Sequence, residues 1–212
     1  VSGDFYWLSH IDGLTYFAVC DCTGHGVPGA FMSIVGASLL SQIVNEDGLR
    51  SPDAILTELD RRIVLSMRQS MGQSSTQSPA ASSPQAGTVS TTSPPDAERS
   101  SGTRDGMDVC LLVWHPADET EKSTTGSTSG NTGSRRVDYA GAGRPLWLCI
   151  DGKIEAHRSG RMSCGGSQHA EKEFPMLELT LKPGTRLFAF SDGVTDQFGR
   201  PEGIVNARQQ KL

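Results

Sequence analysis

Residues 14–29 read LTYFAVCDCTGHGVPG, an apolar strand-like run that ends at Asp21 and continues directly into glycine-rich backbone. A second segment, RLFAFSDGVTD at 186–196, repeats this arrangement and ends its strand at Asp192. A strand fixes the direction of its last residue, and a following glycine lets backbone carbonyl groups approach an ion without a Cβ atom in the way. Each segment therefore has the form of half a metal site.

A third carboxylate, Asp4, lies just upstream of a predicted hairpin that turns at Asp12-Gly13 and returns the chain to Asp21. Oxygen ligands gathered at strand ends suit Mg²⁺ or Mn²⁺ better than Zn²⁺, which favours Cys and His. Two such ions bridged by an aspartate can activate a water and clamp a phosphoryl oxygen during in-line displacement. The pattern therefore favours phosphoester hydrolysis without a nucleophilic side chain.

The rest of the chain predicts two helices and at least seven strands with hairpin-length links. Helical spacing predicts a core-facing helix over 27–45 that buries Phe31, Ile34, Val35, Leu39 and Ile43, and a second helix from Ser51 that buries Ile55, Leu59, Ile63 and Met67. Strand-like runs occupy 4–9, 14–21, 107–114, 135–142, 145–150, 153–158, 176–181 and 186–192. Hairpin links between strands indicate antiparallel sheet packed against helices, so the class is α+β.

Two stretches interrupt this pattern with almost no large apolar residue to bury. Residues 70–105 are rich in Ser, Thr, Gln, Pro and Gly, and residues 119–134 are rich in Ser, Thr and Gly. Segments of this composition cannot bury enough apolar surface to offset the entropy of ordering. We predict two disordered insertions within a single domain that spans 1–212.

Composition limits the classes of partner. The chain has 212 residues and a formal net charge of -5, with its basic residues scattered, so a nucleic acid is not an expected partner. The odd number of five cysteines, three of them in apolar runs, is typical of reduced core thiols in a cytoplasmic protein. No uninterrupted apolar run reaches the roughly 20 residues that span a bilayer, so we expect no membrane contact. The chain opens almost directly into a strand, which predicts a domain of a longer protein with a sensory or regulatory part outside it.

Taken in order, the motifs resemble the stage II sporulation protein E type of bacterial serine phosphatase, which is related to the metal-dependent protein phosphatases of type 2C. The motifs that carry the resemblance are GDFYW (3–7), DCTGHGVPGAFMS (21–33), GMDVCLLVW (106–114), AGAGRPLWL (140–148), GGSQ (165–168) and FSDGVTDQFG (190–199). The resemblance implies a β-sandwich flanked by helices in α-β-β-α layers, with two Mn²⁺ or Mg²⁺ ions at one edge. It implies that Asp21 bridges both ions, that Asp4 and the backbone carbonyl of Cys22 serve one ion, and that Asp192 serves the other.

The chain departs from the family at its end, because family members carry a further acidic motif that completes the site beside the SDG aspartate. Here the sequence ends at Arg208-Gln209-Gln210-Lys211-Leu212, so we expect a C-terminally incomplete domain. The resemblance implies hydrolysis of phosphoserine or phosphothreonine on a small protein that resembles an anti-sigma-factor antagonist. Two alternatives stay open: a catalytically incompetent binding module in a partner-switching pathway, and a hydrolase of small phosphoesters.

Several other polar residues admit a structural or a functional role. His25 is a candidate proton donor, although a role in structuring its loop is favoured, and Asp196 is either a neighbour of Asp192 or a residue of a helix N-terminus. Asp108 begins a strand, and we favour a structural role over one in the site. Arg144 is expected to shape a turn with Pro145.

Overall fold

The computed structural model describes residues 3–24, 26–72, 106–116, 133–166 and 171–194. Helix α1 (Val27–Ser41) continues into a π-helical turn (Gln42–Glu46), and helix α2 spans Pro52–Gly72. The strands are β1 (Phe5–Ile11), β2 (Leu14–Cys22), β3 (Gly106–Trp114), β4 (Arg135–Ala142), β5 (Leu146–Ile150), β6 (Lys153–His157), β7 (Cys164–Gly165), β8 (Leu177–Leu181) and β9 (Arg186–Phe188). A short 3₁₀ helix follows at Asp192–Val194.

The strands form two sheets with antiparallel pairing throughout the named strands. The larger sheet has the order β1-β2-β3-β4-β8, with β7 paired to β3, and the smaller sheet has the order β6-β5-β9. The hairpin predicted at Asp12-Gly13 is confirmed, because both residues have positive φ, at 52° and 77°, and Ile11 pairs with Leu14. The α+β class and the antiparallel sandwich are therefore confirmed.

Two apolar clusters separate the layers of the fold. One lies between the helices and the larger sheet, where Tyr16, Leu40 and Ile55 are fully buried. The other lies between the two sheets, where Tyr139 and Leu146 are fully buried. The described residues thus supply three of the four predicted layers, with the helices on one outer face of the sandwich.

Helix α1 packs through a face that differs in part from the predicted one: Leu39 packs against the core cluster and Ile43, just beyond the helix, is fully buried, as predicted. Phe31 and Ile34 are 63% and 70% exposed, whereas Met32 and Leu40 are buried together with Gly29 and Gly36. The small residues decide this orientation: a Cβ atom on Gly36 would lie only 2.8 Å from the sulfur of Met107 in the sheet. The helix backbone therefore approaches the sheet along its glycine face, and the prediction that Phe31 and Ile34 face the core is wrong.

Helix α2 packs through the predicted face. Ile55, Leu59 and Ile63 are fully buried, and Met67 packs against the same cluster while partly exposed. Each fully buried aliphatic side chain contributes about 1.5–3 kcal/mol relative to its exposure to water. The four-residue spacing therefore fixes both the existence of this helix and its orientation on the sheet.

The segment Val27–Glu46 corrects one expectation from the sequence. By length and composition alone, these 20 helical residues are apolar enough to cross a membrane. However, Leu40, Ile43 and Val44 are fully buried in the cluster between the helices and the larger sheet. One such helix is weak evidence for a membrane span, because the core helix of a soluble protein passes the same test; here 33% of the apolar window is buried.

Other boundaries differ modestly from the predictions. Strand β9 ends at Phe188 rather than at residue 192, and the two-residue strand β7 was not predicted. Helix α2 extends through residues 70–72, which the composition assigned to the first insertion. The remainder of that insertion, and residues 119–132 of the second, lie outside the described residues. The five cysteines are free, and all except Cys149 are buried.

Candidate active site

Three carboxylates meet at one edge of the larger sheet because of the strand register. Asp21, near the end of β2, lies directly opposite Asp108 at the start of β3. Asp4 immediately precedes β1, whose first residue, Phe5, pairs with Cys20. Directly opposite residues in an antiparallel pair place their Cβ atoms about 4.5–5.5 Å apart. The hairpin therefore brings Asp4 beside Asp21, and the long-range pairing of β2 with β3 adds Asp108.

A hydrogen-bonded clamp holds the two central strands together at this edge. The backbone N–H of Thr23 donates to the carbonyl oxygen of Gly106 at 2.9 Å, and the Thr23 hydroxyl donates to the same oxygen at 3.0 Å. The N–H of Gly106 donates back to Thr23 Oγ1 at 2.6 Å. These bonds continue the ladder beyond the last strand residues, so the backbone that carries Asp21 and Asp108 is fixed on both sides.

A fourth carboxylate arrives from the segment that follows β9. Ser191 donates its hydroxyl to Asp4 Oδ2 at 2.6 Å, and the backbone N–H of Asp192 lies 3.5 Å from Asp21 Oδ2. A Cβ atom on Gly193 would lie 3.6 Å from Asp4 Oδ2, so the chain turns closely past that carboxylate. These contacts place Asp192 next to Asp4 and Asp21, although the three residues span nearly the whole chain.

Arg144 lies among these carboxylates. Its Nη2 atom donates to Asp21 Oδ2 and lies 3.5 Å from Asp192 Oδ2, and its Nε atom lies 3.4 Å from Asp108 Oδ2. The side chain is only 17% exposed, as against 14% for Asp21 and 56% for Asp192. One guanidinium therefore contacts three carboxylates in a largely buried setting, where charge interactions are stronger than in water.

Neighbouring residues orient Asp108. The Ser163 hydroxyl donates to Asp108 Oδ1, and a Cβ atom on Gly143 would lie 2.5 Å from the same oxygen. Gly143 also has a φ of 71°, a conformation that side chains other than glycine rarely adopt. Glycine at 143 thus leaves room for the carboxylate while turning the chain towards Arg144.

The electrostatics of Asp21 reflect this crowding. Burial raises its pKa from the ordinary value of 3.8 to about 6, Arg144 opposes the increase, and the carboxylates of Asp192 and Asp4 add to it. The carboxylate form of Asp21 is thus less favourable here than in water, even beside a guanidinium. Additional positive charge at this edge would relieve that cost.

The donor set fits hard divalent cations. All four carboxylates offer oxygen atoms, and Gly3 lies against the backbone carbonyl of Cys22, where a Cβ atom would come within 2.8 Å of the oxygen. The glycine therefore allows the Asp4 segment to run beside that carbonyl. Within the described residues, no group of three or more His, Cys, Asp or Glu side chains is already arranged to hold an ion. Because Arg144 contacts three of the carboxylates, an ion would have to displace its guanidinium.

The structure brings together the four ligand candidates from the sequence, Asp4, Asp21, Cys22 and Asp192. It adds two residues to which the sequence assigned structural roles. Asp108 reaches the site through its pairing with Asp21, and Arg144 reaches it through the turn after β4. His25 and Asp196 lie outside the described residues.

One signal in the sequence points to Asp108: it is the single charged residue in GMDVCLLVW, a strand whose other members are apolar or glycine. Arg144 had a weaker signal. It follows AGAG, a run of small residues that lets its side chain approach neighbouring strands closely.

Comparisons with known proteins identify the family and the fold. The model of the stage II sporulation protein E (SpoIIE) family matches residues 11–92 and 117–211. No curated protein sequence matches the chain. The SiaA-PP2C domain of Pseudomonas aeruginosa is similar in structure, with a TM-score of 0.60 and 23% identity over 96% of this chain and 61% of that one.

Two further solved structures share the fold. The PP2C phosphatase domain of SpoIIE from Bacillus subtilis, solved with a fragment of its regulatory domain, has a TM-score of 0.56 and 16% identity over 98% of this chain and 45% of that one. RsbX in complex with magnesium has a TM-score of 0.51 and 13% identity over 95% of this chain and 70% of that one. The chain therefore spans less than two thirds of the SiaA and SpoIIE chains that it resembles.

Proposed function

The chain belongs to the stage II sporulation protein E (SpoIIE) family, and from this premise we propose that it is a metal-dependent protein serine/threonine phosphatase domain. The observation that carries the proposal is the convergence of four aspartates, from four separate segments, on one sheet edge. Isolated carboxylates at strand ends are common, but four of them crowded around a shared centre require compensating positive charge. A phosphatase that uses divalent ions has a reason to maintain such a cluster.

The residues proposed to hold two Mn²⁺ or Mg²⁺ ions are Asp4, Asp21, Asp192 and the backbone carbonyl of Cys22. Asp21 is the bridging candidate, because it lies opposite Asp108 and within reach of the Asp192 backbone. Bound ions would supply an activated water and neutralise charge on the phosphoryl group. RsbX, one of the similar structures, was solved with magnesium, which supports this choice of ion.

The protein's own residues supply positioning around that chemistry. Ser191 holds Asp4, one of the proposed ligands, and Ser163 holds Asp108, which lies opposite the bridging candidate Asp21. Arg144 offers a planar set of N–H donors that matches carboxylate or phosphoryl oxygens. A guanidinium beside the ion site is suited to orienting a phosphoryl group as well as to balancing carboxylates.

The proposed substrate is a phosphoserine or phosphothreonine on a small protein that resembles an anti-sigma-factor antagonist. Family membership supports this substrate class, and we propose that an upstream sensory or regulatory domain controls the activity. A cytoplasmic location is part of the proposal and is supported by five free cysteines, four of them buried.

A second candidate function is a binding module that keeps the fold but lacks a competent metal pair. The observation that favours it is the position of Arg144, whose guanidinium contacts three carboxylates that an ion would need. A tethered cation can satisfy such a cluster permanently, as an ion pair does in a structural core. The two candidates differ in one measurable property, which is the ability of divalent cations to displace the guanidinium.

The test is Mn²⁺ titration by calorimetry, with phosphatase assays on a phosphoserine peptide and on p-nitrophenyl phosphate. We expect Asp21→Asn to weaken Mn²⁺ binding and turnover by about 100-fold or more, because it removes the shared ligand. Asp151→Asn is the matched control: it removes one carboxylate at an exposed turn with a φ of 50°, where Asn is tolerated.

Each outcome separates the candidates. If the wild-type chain binds Mn²⁺ and hydrolyses the peptide, and only Asp21→Asn abolishes both properties, the phosphatase assignment holds. If the wild type binds no Mn²⁺ but binds a phosphorylated partner, the binding module is correct. Turnover of p-nitrophenyl phosphate without turnover of the peptide would indicate a small-molecule hydrolase.

A further inference from the structure

A cavity of about 510 Å³ adjoins the carboxylate cluster and has the opposite charge. Its lining residues are Gly143, Arg144, Pro145, Arg158, Gly160 and Arg161. Half of these described lining residues are arginines, and none of them is acidic. Arg144 contacts the carboxylates and also lines the cavity. The cavity therefore lies no farther from the proposed reaction centre than the length of one arginine side chain.

The walls of the cavity are held together by backbone contacts. The N–H of Gly143 donates to the carbonyl oxygen of Gly160 at 3.1 Å, and Ala142 and Gly160 form a parallel bridge. A Cβ atom on Gly160 would lie 2.6 Å from the carbonyl oxygen of Gly141 and 2.8 Å from that of Glu173, so only glycine fits there. The segment that carries Arg158 and Arg161 is therefore fixed beside the turn that carries Arg144.

Two of the three cavity arginines carry charge that is not neutralised from within the described part of the chain. Arg158 and Arg161 are exposed and make no ion pair with a described carboxylate, in contrast to Arg144. Two exposed guanidinium groups, those of Arg158 and Arg161, therefore line a space that an anionic oxygen can fill.

We propose that this arginine cavity binds an acidic side chain that flanks the phosphorylated residue of a protein substrate. The proposal rests on the proposed phosphatase function and names the recognition element of that substrate. One arginine length corresponds to about two residues of extended peptide, so the acidic residue lies about two positions from the phosphoserine or phosphothreonine. Charge at this position selects substrates by electrostatic complementarity and speeds their encounter.

The test compares two fluorescein-labelled phosphoserine peptides, one with Glu at both second-neighbour positions and one with Gln there. Binding is measured by fluorescence anisotropy in EDTA, so that no hydrolysis occurs. We expect the wild type to prefer the Glu peptide, and Arg158→Glu/Arg161→Glu to weaken binding of that peptide by about tenfold or more while leaving the Gln peptide unchanged. The preference should shrink as salt is raised.

Two variants control for folding and for total charge. Arg158→Lys/Arg161→Lys keeps the positive charge and should retain most of the preference. Lys153→Glu reverses a charge at the far end of the β5–β6 hairpin, about 13 Å along the strand from His157, and should behave as the wild type. Melting temperatures establish that each variant is folded.

Three results would overturn the inference. The wild type could bind both peptides equally, or the double Glu variant could keep the preference for the Glu peptide. If the double variant loses both peptides equally, the phosphoryl group itself occupies the cavity, and the assignment to a flanking residue is wrong. Because binding is measured in EDTA, it is independent of turnover. If the wild type keeps the preference for the Glu peptide but fails to hydrolyse the peptides in a separate assay with Mn²⁺, the phosphatase function is refuted and the recognition site stands.

Discussion

Replacement of Arg144 by Gln tests whether its guanidinium acts as a built-in counter-ion for the carboxylates. At separations of 3.4 and 3.5 Å, each contact with Asp108 or Asp192 contributes about 4–5 kcal/mol before desolvation, taking an effective dielectric constant of 20. Most of this is offset by the cost of removing an arginine with 17% exposure from water, which leaves about 2–3 kcal/mol net. In EDTA, the variant should therefore melt about 5–10 °C below the wild type.

The same substitution has the opposite effect on metal binding. If divalent ions must displace the guanidinium, the wild type gives up those 2–3 kcal/mol on binding, whereas Arg144→Gln does not. Mn²⁺ affinity measured by calorimetry should then rise by about 30- to 140-fold. Saturating Mn²⁺ should also raise the melting temperature of the variant more than that of the wild type.

Arg186→Gln is the control, because it removes the same charge from an exposed position on β9. It should change neither the melting temperature in EDTA nor the Mn²⁺ affinity by a measurable amount. If Arg144→Gln has the same melting temperature as the wild type in EDTA and binds Mn²⁺ no more tightly, the guanidinium is not the counter-ion of the cluster. The hypothesis that the Arg144 guanidinium and a divalent ion compete for the same carboxylates is then wrong.

Three further predictions concern the fold. Gly36→Val should lower stability by about 2–4 kcal/mol in chemical denaturation, because its Cβ atom would lie 2.8 Å from the sulfur of Met107; an unchanged midpoint would show that α1 packs differently. Burial raises the pKa of Asp138, but the hydrogen bonds and charges of Arg136 and His115 together outweigh it and hold that pKa below its usual range. Asp138→Asn should therefore cost stability above about pH 4, with the difference from the wild type vanishing as the pH falls through the lowered pKa; a difference in melting temperature that persists in acid would contradict this. Finally, a thiol reagent should label at most Cys149 in the native protein and all five cysteines after denaturation, whereas fast labelling of more than one thiol would contradict the burial of the other four.

Local patterns predicted most of the secondary structure, because each depends on residues close together in the chain. The alternation around Asp12-Gly13 specifies a hairpin, and the spacing of Ile55, Leu59 and Ile63 specifies a buried helix face. Helix α1 shows where this reasoning fails. Its apolar periodicity pointed to Phe31 and Ile34, whereas close backbone approach at Gly36 determined which face packs. Periodicity takes account only of apolar side chains. It therefore cannot detect a face that packs closely because glycine has no side chain there.

Some residues of the candidate site were likewise predictable from local sequence patterns, and others were not. Asp4, Asp21 and Asp192 were recognisable because each lies at the end or the beginning of a strand-like run next to glycine. Asp108 required the register between β2 and β3, which are separated by more than 80 residues in the sequence. The position of Arg144 required in addition the turn at Gly143. Such long-range geometry follows from pairing and packing of the whole sheet, so a single sequence does not reveal it.

The arrangement of charge at this edge bears on how an anionic substrate reaches it. A phosphoryl group that approaches four carboxylates meets repulsion of several kcal/mol at contact distance, even at an effective dielectric constant of 20. The cavity with Arg158 and Arg161 offers an approach from a positively charged side, and Arg144 links that side to the carboxylates. If divalent cations neutralise the carboxylates as proposed, they would remove both the repulsion and the need for Arg144 as counter-ion. Under the two proposals, metal loading and substrate access would be coupled through the Arg144 side chain, and a substrate with an acidic flank would engage the half of the site that requires no metal.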